Sequence, residues 1–299
     1  MAFSDCESGQ GLFMGVLDNW RFAKVGPISC CVYCGAIEEL SNEHVVPLGL
    51  DGTIQLVKAS CPECCKITGK FEGAVLRTMF GNMRIRHGMA SRRRGKRPSM
   101  LPAIAVSGGV EAAIDIPSEQ HPAPAPVIWF KYPAILEGRE PCPTPFTVSI
   151  VATKGVEPNE VGADALRFSI GLAVPEFCQM LAKIAHCATV MSLGIDGFDP
   201  LLIPAILGQE NASNYVGGSP DMQPCRGTTD KRNMHELSVH PQEPEQTSGM
   251  IAVRIRLFSN WMDSGQLLTG MPIYWVASGR TNSLTYPRFR AGIFCKRLN

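Results

Sequence analysis

Apolar residues recur at helical spacing in one stretch of this chain and alternate with polar ones in several others. Phe177, Met180, Leu181, Ile184, Cys187, Ala188 and Met191 fall at i, i+3, i+4 and i+7, which lines one face of a helix. Pro175 and Glu176 suit its first turn. Strand-type runs precede it at 127–132 (VIWFKY), 146–152 (FTVSIVA) and 166–172 (LRFSIGL), and two more follow at 251–258 (IAVRIRLF) and 272–278 (PIYWVAS). Residues 209–249 are rich in Gly, Pro, Asn, Ser and Gln and read as long loops. At the other end, residues 1–29 form a weakly patterned N-terminal extension, and 73–98 read as the end of a helix followed by a basic segment. The run 117–126 (PSEQHPAPAP) is proline-rich and poor in apolar side chains, which predicts a linker. The expected fold class is therefore α+β, with an N-terminal module over 30–100 and a separate α+β domain over 127–299.

Composition changes this picture little. The chain has 299 residues, 45% of them hydrophobic and 18% charged, which is the make-up of a folded protein of about two domains. Its longest apolar runs fall short of the ~18 residues that cross a bilayer, so no membrane partner is expected. The opening MAFSDCESGQ lacks the basic-then-apolar order of a secretory leader, and the expected setting is a reducing cytoplasm. Net charge is only +1, but it is unevenly spread. No acidic residue lies between Glu72 and Glu111, whereas Arg77, Arg84, Arg86, Arg92, Arg93, Arg94, Lys96 and Arg97 all do. Such a run suits sequence-independent phosphate contact by counterion release.

In a reducing compartment, closely spaced cysteines point to metal rather than disulfides. Cys31-Val-Tyr-Cys34 and Cys61-Pro-Glu-Cys64 are two C-x2-C knuckles. Each places two thiolates on one tight turn, and together they complete a tetrahedral four-sulfur site for Zn2+. Cys30 and Cys65 adjoin these residues and read as spectators, either of which could substitute in an alternative tetrad. Four protein ligands leave no open position, so the zinc is expected to be structural and any chemistry to lie elsewhere.

Between the knuckles runs Glu43-His44-Val45-Val46-Pro47, followed by Gly49-Leu50-Asp51-Gly52. A histidine ending a strand can deprotonate water beside a phosphodiester, and a neighbouring carboxylate can hold a hard divalent cation. The series C-x2-C, E-H-V-V-P, G-x-x-G, A-S-C-x2-C and T-x3-E over residues 31–72 resembles the HNH (ββα-metal) endonucleases, in particular their zinc-knuckle subgroup. The resemblance implies a two-stranded ribbon and a helix around a catalytic ion. It also implies His44 as general base, Glu43 as a ligand of Mg2+ or Mn2+, and hydrolysis of DNA, with RNA offering the same phosphate backbone. Such modules are common in phage and bacterial defence proteins. Cys65 stands where the family places a His or Asn ligand, and the asparagine that steadies the family's base has no obvious counterpart. Glu72, on the same helical face as Cys65 and Thr68, is a further candidate carboxylate for the ion. The basic residues Arg84, Arg86, Arg92, Arg93, Arg94, Lys96 and Arg97 are the expected nucleic-acid contacts. The alternative is a zinc-stabilised nucleic-acid-binding or regulatory protein whose nuclease site has decayed.

In the C-terminal two thirds, Trp129, Phe130, Trp261, Tyr274 and Trp275 are expected to fill the core, and His186, His235 and His240 to be structural. Sensing, homodimerisation and substrate contact all remain open for this part.

Overall fold

The computed structural model describes residues 24–91, 95, 97–219, 234–242, 249–259, 262–263, 266–267 and 272–281. The N-terminal extension before Lys24, the cations Arg92, Arg93, Arg94 and Lys96, and Trp261 lie outside them.

The cysteine-bearing segment opens on three short strands, β1 (Lys24–Val25), β2 (Ser41–His44) and β3 (Gln55–Ser60), in the sheet order β1-β3-β2. β2 and β3 run antiparallel, with Glu43 opposite Leu56 and His44 opposite Gln55. The reversal between them turns at Asp51, which is left-handed at φ 61°. At Gly52 a Cβ would lie only 1.9 Å from the Val46 carbonyl oxygen, so no side chain fits there. Helix α1 (Pro62–Thr78) follows directly, with a proline in its first turn. It buries Cys64, Thr68, Phe71 and Val75 along one face, and a short α2 (Gly81–Arg86) comes next.

A hairpin the periodicity did not predict comes next, β4 (Met100–Ser107) against β5 (Val110–Pro117). Its two-residue turn is Gly108-Gly109, both at positive φ, which is the glycine pair that a tight hairpin turn takes. β6 (Ala125–Phe130) pairs with β7 (Phe146–Val151), and β8 (Ala165–Arg167) adds to β4. The strand expected over 166–172 is thus confined to its first residues. Helix α3 (Val174–Leu193) is followed by β9 (Phe198–Pro200) and the short helix α4 (Ile203–Ile206). β10 (Val216–Ser219), β11 (Glu236–Pro241) and β12 (Met250–Arg256) follow, then the short pair β13 (Met262–Asp263) and β14 (Gln266–Leu267), and finally β15 (Ile273–Thr281). β10, β15, β12 and β11 lie side by side, with β9 on β15. β10 and β11 fall in the stretch expected to be loops: Val216 and the 237–239 trio are buried, and ladder bonds to β15 and β12 override their glycine and proline content.

Two packing features bear on domain organisation. The proline-rich stretch is packed against the chain that follows it. His121, Ala123 and Ala125 are buried, and the Gln120 and Pro122 carbonyls accept from the Val156 and Thr153 amides. The cysteine-bearing segment shares its core with the rest of the described chain. One continuous apolar core runs from Cys31, Val45 and Leu56 through α3 to Val253 and Val276. α3 is its axis and is buried nearly all round, not along one face. Phe177 meets Phe80 and Tyr274, with ring centroids 6.3 and 5.4 Å away. Further along, Tyr33 within the first knuckle reaches the Cys187 thiol at 3.5 Å. The mixed α+β class stands, in one packed body. No helix among the described residues is long and apolar enough to cross a membrane.

Candidate functional site

The four knuckle cysteines converge. The sulfurs of Cys31, Cys34, Cys61 and Cys64 all lie within 4.8 Å of one another, and those of Cys34 and Cys61 are 3.6 Å apart. Tetrahedral zinc with bonds of about 2.3 Å would set its sulfurs ~3.8 Å apart, so the cluster is compatible with a structural zinc site. Local structure explains the convergence. The Gly35 amide closes the first knuckle onto the Cys31 carbonyl, and the Val32 amide ties that turn to Ala59 on β3. The second knuckle is the first turn of α1, with Cys61 at the N-cap. Burial pushes the Cys61 thiol up, but the Cys64 amide and the neighbouring thiols outweigh it and bring it down to about 7. Burial and the same neighbours push Cys64 the other way. A cation among the four sulfurs would favour all the thiolates together.

Cys65 is turned away from this cluster. Its thiol lies 3.1 Å from the Ser41 hydroxyl and 3.2 Å from that of Ser60. Ser41 is three positions along β2 from His44, about 10 Å at strand rise, so Cys65 is engaged at the far end of the ribbon.

Glu43 and His44 are neighbours on a strand and point to opposite faces. His44 is half-buried, and its Nε2 accepts from the Gln55 side-chain amide at 2.9 Å, directly across the ladder. Gln55 is held in turn by Asn42, whose amide donates to its Oε1 at 3.3 Å. Gln55 thus fixes the His44 ring from the neighbouring strand. In this arrangement the acceptor nitrogen of a neutral ring is engaged, and the other nitrogen carries the proton.

Glu43 enters the core, where it is 6% exposed. Its partner there comes from far along the chain. Lys183 of α3, with a fully buried side chain, places its Nζ 2.7 Å from Glu43 Oε1 and 2.9 Å from Glu72 Oε1. The same ammonium donates to the carbonyl of His44 and reaches that of Val45 at 3.4 Å. Burial by itself lowers a lysine, but the carboxylates of Glu43 and Glu72 overcome it and raise Lys183 above its ordinary value. The two carboxylates expected to hold Mg2+ or Mn2+ thus do come together, but around an ammonium. The arrangement leaves no place for a catalytic divalent ion, because Lys183 fills the cation position and Glu43 faces away from the solvent side that His44 presents.

The basic segment is likewise committed where it is described. Arg84 donates to the carbonyls of Gly49, Leu76 and Ala90 at 2.6, 3.2 and 3.4 Å. Arg86 donates to that of Lys154 at 3.2 Å and Arg97 to that of Met89. These three brace loops through backbone carbonyls.

The histidines of the C-terminal part are structural. His186 donates to the Val32 carbonyl at 2.8 Å. His235 donates to that of Leu50 at 2.6 Å and accepts from the Phe258 amide at 3.3 Å. His240 meets the Ser238 hydroxyl at 2.7 Å. Burial brings His186 and His235 each down to about 4, so both are neutral in the fold while the unfolded chain takes up protons near pH 6.5. Stability present above pH 6.5 should therefore be lost progressively as pH falls towards 4, by on the order of 3 kcal/mol per histidine. Denaturant unfolding between pH 7 and 4.5 measures this. His235→Gln keeps a donor for Leu50 without titrating and should flatten the slope; an unchanged slope would contradict the assignment.

No protein-family model, curated protein or solved structure matches this chain, so the likeness to HNH nucleases rests on residues 31–72 alone.

Proposed function

We propose that this protein binds nucleic acid through a zinc-stabilised module of HNH type that has lost the cutting reaction. One observation carries the proposal: Lys183 fills the cation position between Glu43 and Glu72. Hydrolysis of a phosphodiester requires charge to be neutralised at the phosphate and the leaving oxygen. A lysine buried beneath the strand cannot touch either. The His44 nitrogen that would take a proton from water is already accepting from Gln55. What the module keeps is its zinc-clasped ribbon and helix, with the acid-free basic run beyond Glu72. Within that run, Arg92, Arg93, Arg94 and Lys96 are the candidates for phosphate contact. Duplex DNA, bound without strong sequence preference, is the partner this chemistry suits best.

The second reading, an active endonuclease, is favoured by the placement of His44. The ring is half-buried on the solvent side of β2 and held across the ladder. Turning over the Gln55 amide would free the acceptor nitrogen for a base.

Gel retardation of duplex DNA across a salt series tests the binding claim. Affinity should fall steeply with salt, and replacing Arg92, Arg93 and Arg94 together by alanine should flatten the log–log slope by roughly 2 to 3. Binding that ignores salt, or that survives the triple substitution unchanged, would defeat it.

A further inference from the structure

The surroundings of Lys183 have the composition of a metal site. Its ammonium is ringed by Glu43 Oε1, Glu72 Oε1 and the carbonyl oxygens of His44 and Val45. Two carboxylates and two carbonyls form an all-oxygen set of the kind that holds hard cations. The elements that supply them are independent: β2, the turn after it, and α1. All are pinned by the zinc knuckle at one end and by α3 at the other. We propose that this is a hard-cation pocket whose resident ion is the Lys183 ammonium, so that the native chain takes no divalent ion there and a chain lacking the lysine side chain does.

The geometry also ranks the ions. The two carboxylate contacts are 2.7 and 2.9 Å, which is ammonium spacing, and the Val45 carbonyl stands further off at 3.4 Å. Ca2+ binds oxygen at about 2.3–2.6 Å and Mg2+ at about 2.0–2.1 Å in strict octahedra. For Ca2+ the two carboxylates would draw in by a few tenths of an ångström and the Val45 carbonyl by about 1 Å, and Mg2+ would demand more of all three. Removing the ammonium leaves two negative charges, which is what one divalent ion neutralises. Glu72 retains some exposure, with 19% of its side chain accessible, and offers the ion a way in. The inference concerns this ion pocket and not nucleic-acid binding, so it stands or falls separately from the retardation experiment.

Thermal unfolding of the zinc-loaded full-length chain tests it. The native protein should show no change in Tm on adding millimolar Ca2+, Mn2+ or Mg2+. Lys183→Ala should be destabilised and should recover roughly 5 to 10 °C with Ca2+, less with Mg2+. If that variant folds poorly, refolding yield with and without Ca2+ supplies the same comparison. Lys183→Met combined with Glu43→Gln and Glu72→Gln, which removes every charge, should give no response to any ion. A divalent-dependent rise in the native protein would overturn the proposal. So would a Lys183→Ala chain that ignores all three ions in both Tm and refolding, or an equal response in the triple variant.

Discussion

Replacing Lys183 by methionine will destabilise the protein by on the order of 3 to 5 kcal/mol, the usual consequence of removing one partner from a buried ion pair. The length and volume of the side chain are nearly kept, so the loss is electrostatic and not a cavity effect. Glu43 would be left in the core facing Glu72, and the carbonyls of His44 and Val45 would lose a donor. Adding Glu43→Gln and Glu72→Gln to Lys183→Met should recover most of the loss, because neutral amides carry a far smaller desolvation cost than unpaired charges. Chemical denaturation of the single and triple variants measures both effects. A single variant as stable as the native chain would show that Lys183 is not the counter-charge of Glu43 and Glu72.

Removing metal from the four-cysteine cluster should be as damaging, and its effect should spread. Structural zinc in small domains contributes apparent folding energies of about 10 to 16 kcal/mol near neutral pH. Here the knuckles fix both the first turn of α1 and the turn that presents Tyr33 and the Val32 carbonyl to α3. Because the core is continuous from Cys31 to Val276, loss of the cluster should loosen α3 as well as the ribbon. A strong chelator, or Cys64→Ser, is expected to lower Tm by tens of degrees and to deprotect α3 amides to hydrogen exchange. Exchange confined to residues 31–72 would mean that the two parts are energetically separate.

The cysteine spacing and the helical period were enough to anticipate the four-cysteine cluster and α3. Both signals are local: two residues on a turn, or one face every 3.6 residues. Gln55 escaped notice because its role depends on register. Only the pairing of β2 with β3 sets it opposite His44. Lys183 did leave a trace, as the one charged residue between Glu176 and Asp196 in an otherwise apolar helix. A lone charge on a buried helix requires a partner. That partner, Glu43, lies in another element far earlier in the chain, and no periodicity reaches so far. The arginines are a different case. A run of positive charge does not show which members brace the chain, and Arg84, Arg86 and Arg97 each find backbone carbonyls that loop closure brings to them.

Incubating supercoiled plasmid with the zinc-loaded protein in Mg2+, Mn2+ and Ca2+, beside His44→Ala, tests the central claim most directly. With Lys183 holding Glu43 and Glu72, the plasmid should be retarded at low salt and remain supercoiled in every metal. Divalent-dependent nicking that disappears in His44→Ala, with zinc content unchanged, would contradict the account and restore the endonuclease.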